Sequence, residues 1–280
     1  MTSNSVIAVL CALSMFPAAL RAKDEKLKPE QLIAKHLESI GPAAKMKEIK
    51  TRSTAGTAHV EFRIGGQASL NGQGSLVSDG SSIGAVLKFP ALEYSGEQFI
   101  FDGTDVIVGQ VSPGTRSPLG RFLYENGVML KEGLLFGSLS TSWALLNTGA
   151  KQPKLNVSGP KKVGGSSVYE MKYEAKKGRG NVQVWLYFDA ETFRHVRSQY
   201  KVETAAQQIA RIQDSAELDR YTLVEEFGSF TEVDGLTLPH SYKADFTIDS
   251  QRGAFLGSWS YTVKDVSHNQ PIDRQAFSLK

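Results

Sequence analysis

A chain of 280 residues, 41% apolar and 9% aromatic, can bury roughly 70–75% of its unfolded surface and is not of disordered composition. Its 32 basic and 29 acidic residues leave a net charge of +3. They are mixed along the chain with no basic face or tail, which argues against nucleic acid as a partner.

The N-terminus comes first. Val6 to Leu20 is an apolar stretch broken only by Ser14 and Pro17, and small residues lead up to Ala22. Residues 1–22 therefore read as a secretory signal, too short for a membrane span. Met1 to Ser5 carries no Lys or Arg, which disagrees, and an uncleaved apolar N-terminus is the alternative. The single cysteine, Cys11, follows Leu10 in the middle of the apolar run and belongs to the signal, not to a lipid anchor. The mature chain, 23–280, then holds no thiol. That excludes cysteine catalysis, thiolate metal sites and disulfides, and it suits an oxidising compartment.

Pro29 opens a helix in which Leu32, Ile33, His36, Leu37 and Ile40 form one apolar stripe. Gly41-Pro42 stops it, and a short helical turn, Ala43 to Glu48, follows. From Thr51 to Val111 the pattern is β. Ala58, Val60, Phe62 and Ile64 alternate with His59, Glu61 and Arg63. Gly65-Gly66, Asn71-Gly72, Asp79-Gly80 and Asp102-Gly103 read as turns, the last two as hairpins between apolar runs.

Residues 112–149 interrupt the strands. After the loop Ser112 to Pro118, Leu119–Leu130 and Leu134–Leu146 read as two short helices, an insertion over about 117–147. Helices apolar on most sides must be buried or face a ligand.

Strands resume near Leu155, with a turn at Val163 to Gly165 and a basic hairpin tip at Ala175 to Gly180. Two strand–turn–strand units follow. Val182–Phe188 returns through Asp189 to Thr192 as Arg194–Val202; Tyr221–Phe227 returns near Asp234-Gly235 as Leu238–Ile248. The polar connection 203–217 reads as a long loop or a frayed helix. A last strand, Phe255–Val266, carries Phe255, Trp259, Tyr261 and Val263 on one face. The pattern predicts about ten or eleven antiparallel strands in one mainly β domain (α+β) over 23–280, with no low-complexity linker.

Reactive constellations are missing from this pattern. The histidines His36, His59, His195, His240 and His268 have no metal-ligand spacing. His36 reads as a packed, hydrogen-bonded core side chain, and His240 as a structural one beside Tyr242. His195 alternates with Val196 and should face water beside Arg197 and Lys201. There is no Gly-x-Ser-x-Gly elbow and no phosphate loop. Glu225 and Glu226 point to opposite faces of a strand and cannot share a proton; solvated strand faces explain most such charges. Nothing points to a cofactor, and the chain reads as a non-enzyme. One excess stands out. In 182–188 both faces carry apolar or aromatic residues, because Trp185 and Tyr187 oppose Val184, Leu186 and Phe188. Cover on both faces or a greasy concavity would explain it.

Several segments together carry a resemblance: Ile40-Gly41, Ile49-Lys50, Gly56, the two Asp-Gly turns, Leu134 to Trp143, Tyr187 to Thr192, and Val233 to Pro239. In these the chain resembles periplasmic outer-membrane lipoprotein-sorting-like proteins, relatives of the lipoprotein carrier. The resemblance implies a curved, unclosed antiparallel barrel with helices plugging its concave face, and a periplasmic location. It also implies lipid or lipoprotein acyl chains as cargo, with no functional residue of the carrier matched here. The chain departs from the carrier in its length and in the Leu119–Leu146 insertion. On this reading Phe122, Leu134, Phe136, Trp143 and Leu146 lie against the concave face, with Tyr200, Tyr242 and Trp259 as strand-borne ligand-binding residues. The alternative is a structural or regulatory module of the same fold, plugged and without ligand, that binds an envelope protein through an edge strand.

Overall fold

The computed structural model describes residues 27–63, 68–176, 180–205, 218–250 and 253–279. The N-terminal segment with Cys11, the Gly65-Gly66 turn and most of the 203–217 connection lie outside the described residues.

Among the described residues, twelve strands form one antiparallel sheet. They are β1 (Arg52–Phe62), β2 (Ala68–Ser78), β3 (Ile83–Lys88), β4 (Gly96–Phe101), β5 (Val106–Val108), β6 (Lys154–Val163), β7 (Ser166–Glu174), β8 (Gln183–Asp189), β9 (His195–Ala205), β10 (Leu218–Val233), β11 (Leu236–Ser250) and β12 (Gly253–His268). Their order is β5-β4-β3-β2-β1-β12-β11-β10-β9-β8-β7-β6. Two meanders, β1–β5 and β6–β12, are thus joined where β1 pairs with β12, and the sheet stays open at β5 and β6. The bend of the sheet follows from its packing. Phe99 of β4 and Leu223 of β10 line one small void, yet six strand spacings would separate them by roughly 29 Å on a flat sheet. The sheet curls into a trough.

Connectivity explains why the trough is roofed. β5 and β6 are consecutive in the chain but lie at opposite edges, so residues 109–153 have to cross the open mouth. Pro118–Glu125 (α3) and Val128–Lys131 (α4) supply the helical part, and Thr148–Lys151 (α5) ends the crossing. Pro29–Ile40 (α1) also packs its stripe inward, burying Leu32, Ile33, His36 and Ile40; Ala43–Glu48 (α2) follows it.

Four sequence expectations need correction. The segment Leu134–Leu146 is not a helix: it is irregular chain with two short 3₁₀ turns, Gly137–Leu139 and Ala144–Asn147. Its leucine spacing imitates a helix, but Gly133, Phe136 and Gly137 all take positive φ, and Ser138 to Ser142 is rich in hydroxyls that favour turns. Asn71-Gly72 is no turn but lies inside β2. A Cβ on Gly72 would stand 2.0 Å from Lys88 O, so glycine there permits close strand approach. His195 does not face water. The register slips between Tyr187 and Phe188, so that Phe188 pairs with His195. Such a bulge reverses the phase of the strand and buries His195 while leaving Val196 half-buried. Glu225, finally, is not on a solvated face but is fully buried.

The aromatic surplus on β8 has a plain cause. Trp185 lies 5.6 Å beneath Lys201 Nζ and Tyr187 lies 5.7 Å from Lys161 Nζ. Lysine stems cover these rings on the convex side, so the pair contributes nothing to the hollow.

Candidate functional site

The concave face is built by strand alternation. Leu87, Phe99, Leu223, Tyr242, Ala244, Trp259 and their neighbours in phase point inward and are buried. Against them the crossing segment buries Leu119, Phe122, Leu123, Leu130, Leu134, Leu135, Phe136, Leu139, Trp143 and Leu145. Phe122 sits 4.9 Å from the ring of Phe246, and Phe136 sits 5.2 Å from that of Tyr242.

Irregular backbone buried in a trough leaves N–H and C=O groups that need partners. The trough wall supplies them from side chains. Phe136 N–H donates to Glu225 Oε1 at 2.8 Å, and the Tyr242 hydroxyl donates to the same oxygen at 2.9 Å. The Tyr200 hydroxyl lies 2.7 Å from Glu225 Oε2 and 2.9 Å from Leu134 O. Arg52 Nη1 donates to Ser138 O at 2.6 Å. Thr141 N–H and its hydroxyl both donate to Ser78 Oγ at 2.9 Å. Trp143 Nε1–H donates to His36 Nε2 at 3.0 Å, while His36 Nδ1 lies 3.1 Å from Phe193 O. Accepting at Nε2 makes His36 a neutral ring that donates from Nδ1.

Burial sets the electrostatics. It pushes Glu225 up to about 7, against the opposing bonds from Phe136 N–H, Tyr200, Tyr242 and Ser198. One hydroxyl proton cannot serve both Leu134 O and a carboxylate. A protonated Glu225 donating to Tyr200, which then donates to Leu134 O, satisfies every partner. Burial also pushes Glu97 up to about 7, against the hydroxyls of Ser117 and Tyr94. Trp259 Nε1–H donates to the Tyr94 hydroxyl at 2.6 Å, which donates to Glu97 Oε1 at 2.7 Å. Burial holds His36 down at about 4, and holds His195 well below its usual value with His36 adding to it. His195 Nε2 lies 3.1 Å from Ser198 Oγ, but both are sealed from solvent and the ring is stacked on Trp143 at 4.7 Å. The pair has no access to a substrate.

Seven of the eight residues anticipated as ligand contacts therefore stand at the interface of roof and trough: Phe122, Leu134, Phe136, Trp143, Tyr200, Tyr242 and Trp259. Leu146 does not join them. It is 40% exposed and borders a separate pocket beside Arg52. The hollow itself is almost filled: the void between Leu135, Phe136, Leu223 and Trp259 measures about 20 Å³. Sequence reasoning missed Glu225, Glu97 and Arg52. A signal existed for Glu225, since it lies in phase with the inward Leu223 and Phe227.

Among the described residues, no group of three or more His, Cys, Asp or Glu could hold a metal ion, and no helix is long and apolar enough to cross a membrane. No family model matches the chain, and no curated protein matches it in sequence. In solved structures the chain is similar to a LolA superfamily protein from Nitrosomonas europaea, at 11% identity over 90% of this chain and 98% of that one, with a TM-score of 0.45. It is similar to a putative outer membrane lipoprotein-sorting protein domain from Vibrio parahaemolyticus, at 13% identity over 88% and 97%, with a TM-score of 0.44. A DUF1329 family protein from Desulfovibrio piger matches at 9% identity over 89% and 96%, with a TM-score of 0.42. No residue here takes a role from these likenesses.

Proposed function

We propose that this chain is an exported, periplasmic, non-enzymatic protein that takes an apolar acyl chain into the trough by displacing part of its own roof. One observation carries the reading. The void in the hollow has a wholly buried lining, mostly apolar, and on the roof side Leu119 and Leu123 of α3 close it together with Leu135 and Phe136. Leu135 and Phe136 belong to irregular chain that is pinned at single points, and they are the half of the cover that no helix holds.

Magnitudes decide how far the roof moves. Exposing only the ten apolar side chains of the crossing segment named above would already cost about 15–30 kcal/mol at 1.5–3 kcal/mol each. A chain of about a dozen methylenes gains about 10 kcal/mol at 0.8 kcal/mol each. Wholesale expulsion loses. Displacing only Leu135 and Phe136 costs about 3–6 kcal/mol, plus about 1–3 kcal/mol for the freed Phe136 N–H and its acceptor. Local displacement is affordable, and it must enlarge the void to roughly 300 Å³, the lower range of ligand pockets. Export rests on the apolar segment Val6–Leu20.

The alternative of a plugged module docking a protein through a strand edge finds support in the small void. It is weakened by the edges themselves. β5 is three residues long, while β6 carries Pro160, Lys161, Lys162 and a register slip between Ser158 and Lys161. Short, charged, irregular edges resist strand addition.

The test is to purify the protein from a bacterial envelope, analyse extracted lipid by mass spectrometry, and titrate a fluorescent fatty acid. Stoichiometric lipid, and tighter probe binding by Phe136→Ala than by the parent, are expected. A lipid-free preparation whose Phe136→Ala variant also ignores the probe rejects acyl binding in the hollow.

A further inference from the structure

A second cavity, of about 50 Å³, opens on the far side of the 138–141 turn and shares no lining residue with the hollow. Its walls are mixed: Met46, Ile49 and Leu146 are among the aliphatic side chains, and Arg52, Ser140 and Thr141 among the polar ones. A guanidinium that is only 5% exposed normally sits against a carboxylate. Arg52 has none among the described residues. Its Nε–H donates to His268 Nε2 at 3.0 Å and Nη1 to Ser138 O at 2.6 Å. His268 Nδ1 in turn holds Asp234 Oδ2 at 2.8 Å. Asp234 thereby fixes the neutral His268 tautomer whose Nε2 accepts from Arg52. The carboxylate orients the arginine without touching it.

The consequence is an incomplete site. Two of the five guanidinium donors are used, both by neutral acceptors, and Nη2 has no partner among the described residues. Ser140 Oγ, also on the lining, accepts from Ser142 N–H at 3.0 Å, which leaves its own proton to give. Burial without a counter-ion lowers the Arg52 pKa to about 10, the signature of a cation whose charge is under-compensated.

We propose that this cavity is a monocarboxylate site, receiving the head of a fatty-acid-type amphiphile. The carboxylate lies on the free Nη edge of Arg52 and the Ser140 hydroxyl, and the first methylenes lie against Met46, Ile49 and Leu146. A planar carboxylate matches the planar fork. A phosphate dianion would bring a second charge into a cavity with one cation, and an unpaired buried charge is costly. The partly exposed Leu146 marks the mouth, so the tail leaves along the surface. This assignment does not rest on acyl binding in the trough.

The experiment is isothermal titration of the purified protein at pH 7.5 with decanoate, decanol and acetate. Decanoate should bind at least about tenfold more tightly than either of the others. Leu146→Glu places a like charge at the mouth on an exposed position. It should weaken decanoate at least about tenfold while leaving the thermal midpoint unchanged. Arg52→Gln should remove the decanoate binding that Leu146→Glu weakens, whereas any decanoate taken up by the hollow should survive Arg52→Gln and rise in Phe136→Ala, which keeps the two sites apart. Equal binding of decanoate and decanol overturns the carboxylate assignment, and equal binding of acetate overturns the amphiphile. Undiminished decanoate binding in Leu146→Glu, or no binding below about 10 mM, overturns the site.

Discussion

The roof has two limbs, and they are held in different ways. The helical limb, 118–131, satisfies most of its own backbone and attaches by apolar packing; Phe122 against Phe246 is the centre of that contact. Its polar devices are local ones at its helix ends: Ser117 Oγ accepts from Gly120 N–H at 2.8 Å, and Asn126 Nδ2 donates to Phe122 O at 2.9 Å. The irregular limb, 134–147, cannot satisfy itself, and Glu225, Tyr200, Arg52, Ser78 and His36 reach from the trough wall and α1 to its backbone or to Trp143. Polar groups on the concave face thus mark where irregular chain lies above. A helix lid needs a greasy wall, and a looped lid needs a wall with anchors in it.

Truncating the anchored ring tests this difference most severely. Trp143→Ala removes a fully buried indole and its bond to His36. It should cost about 3–5 kcal/mol, roughly 1 kcal/mol more than Phe122→Ala in the helical limb. Urea denaturation of both variants measures the gap. If Phe122→Ala costs as much or more, the polar anchors add nothing to the irregular limb.

The next effect is a pH dependence. The folded-state pKa of Glu225, about 7, lies above its unfolded value, so the folded state binds the extra proton between those limits. Stability from this group falls as pH rises through that window and is flat above it. The loss reaches at most about 3 kcal/mol. Glu97 contributes in the same direction. His36 and His195, with depressed values, act oppositely: their contribution is lost as pH falls below the unfolded histidine value. Glu225→Gln should therefore be close to the parent at pH 5 and gain on it by pH 8. Parallel stability curves for the two proteins would show that Glu225 stays ionised when folded.

Gly133 is the joint between the limbs. Its φ is +66° and an added Cβ would lie 1.9 Å from Ser142 O. Gly133→Ala should cost about 2 kcal/mol in backbone strain and displacement. Hydrogen exchange should rise at amides within 134–147 while 118–131 keeps its protection. Uniform loss across both limbs would mean that they open as one body.

The sequence legibility of the two limbs differs for the same reason. Apolar alternation and Asp-Gly turns revealed most of the strands, and the helical stripe revealed α1, because each is a local pattern with a local cause. The aromatic lining, from Phe122 to Trp259, was legible as inward-facing apolar positions. The crossing of the trough mouth was not, because it depends on β1 pairing with β12, a contact between the two ends of the domain. Nor were the anchors. Arg52 and Glu225 are inward positions occupied by polar residues, and each has a backbone partner in a segment remote in sequence. A bulge between Tyr187 and Phe188 is equally silent in composition, yet it decides which side of β9 His195 faces.

The smallest effect concerns the helical limb's own cap. Ser117→Ala removes the acceptor for Gly120 N–H, worth about 1 kcal/mol at a helix N-terminus. The same hydroxyl is the foremost hydrogen bond holding down the Glu97 pKa. Its removal lifts Glu97 further, and the folded protein then retains that proton to higher pH. The cost of Ser117→Ala should accordingly grow between pH 5 and pH 8. Thermal melts at the two pH values measure it. A cost that stays constant would confine Ser117 to capping, and would make the helical limb independent of the charged groups beneath it.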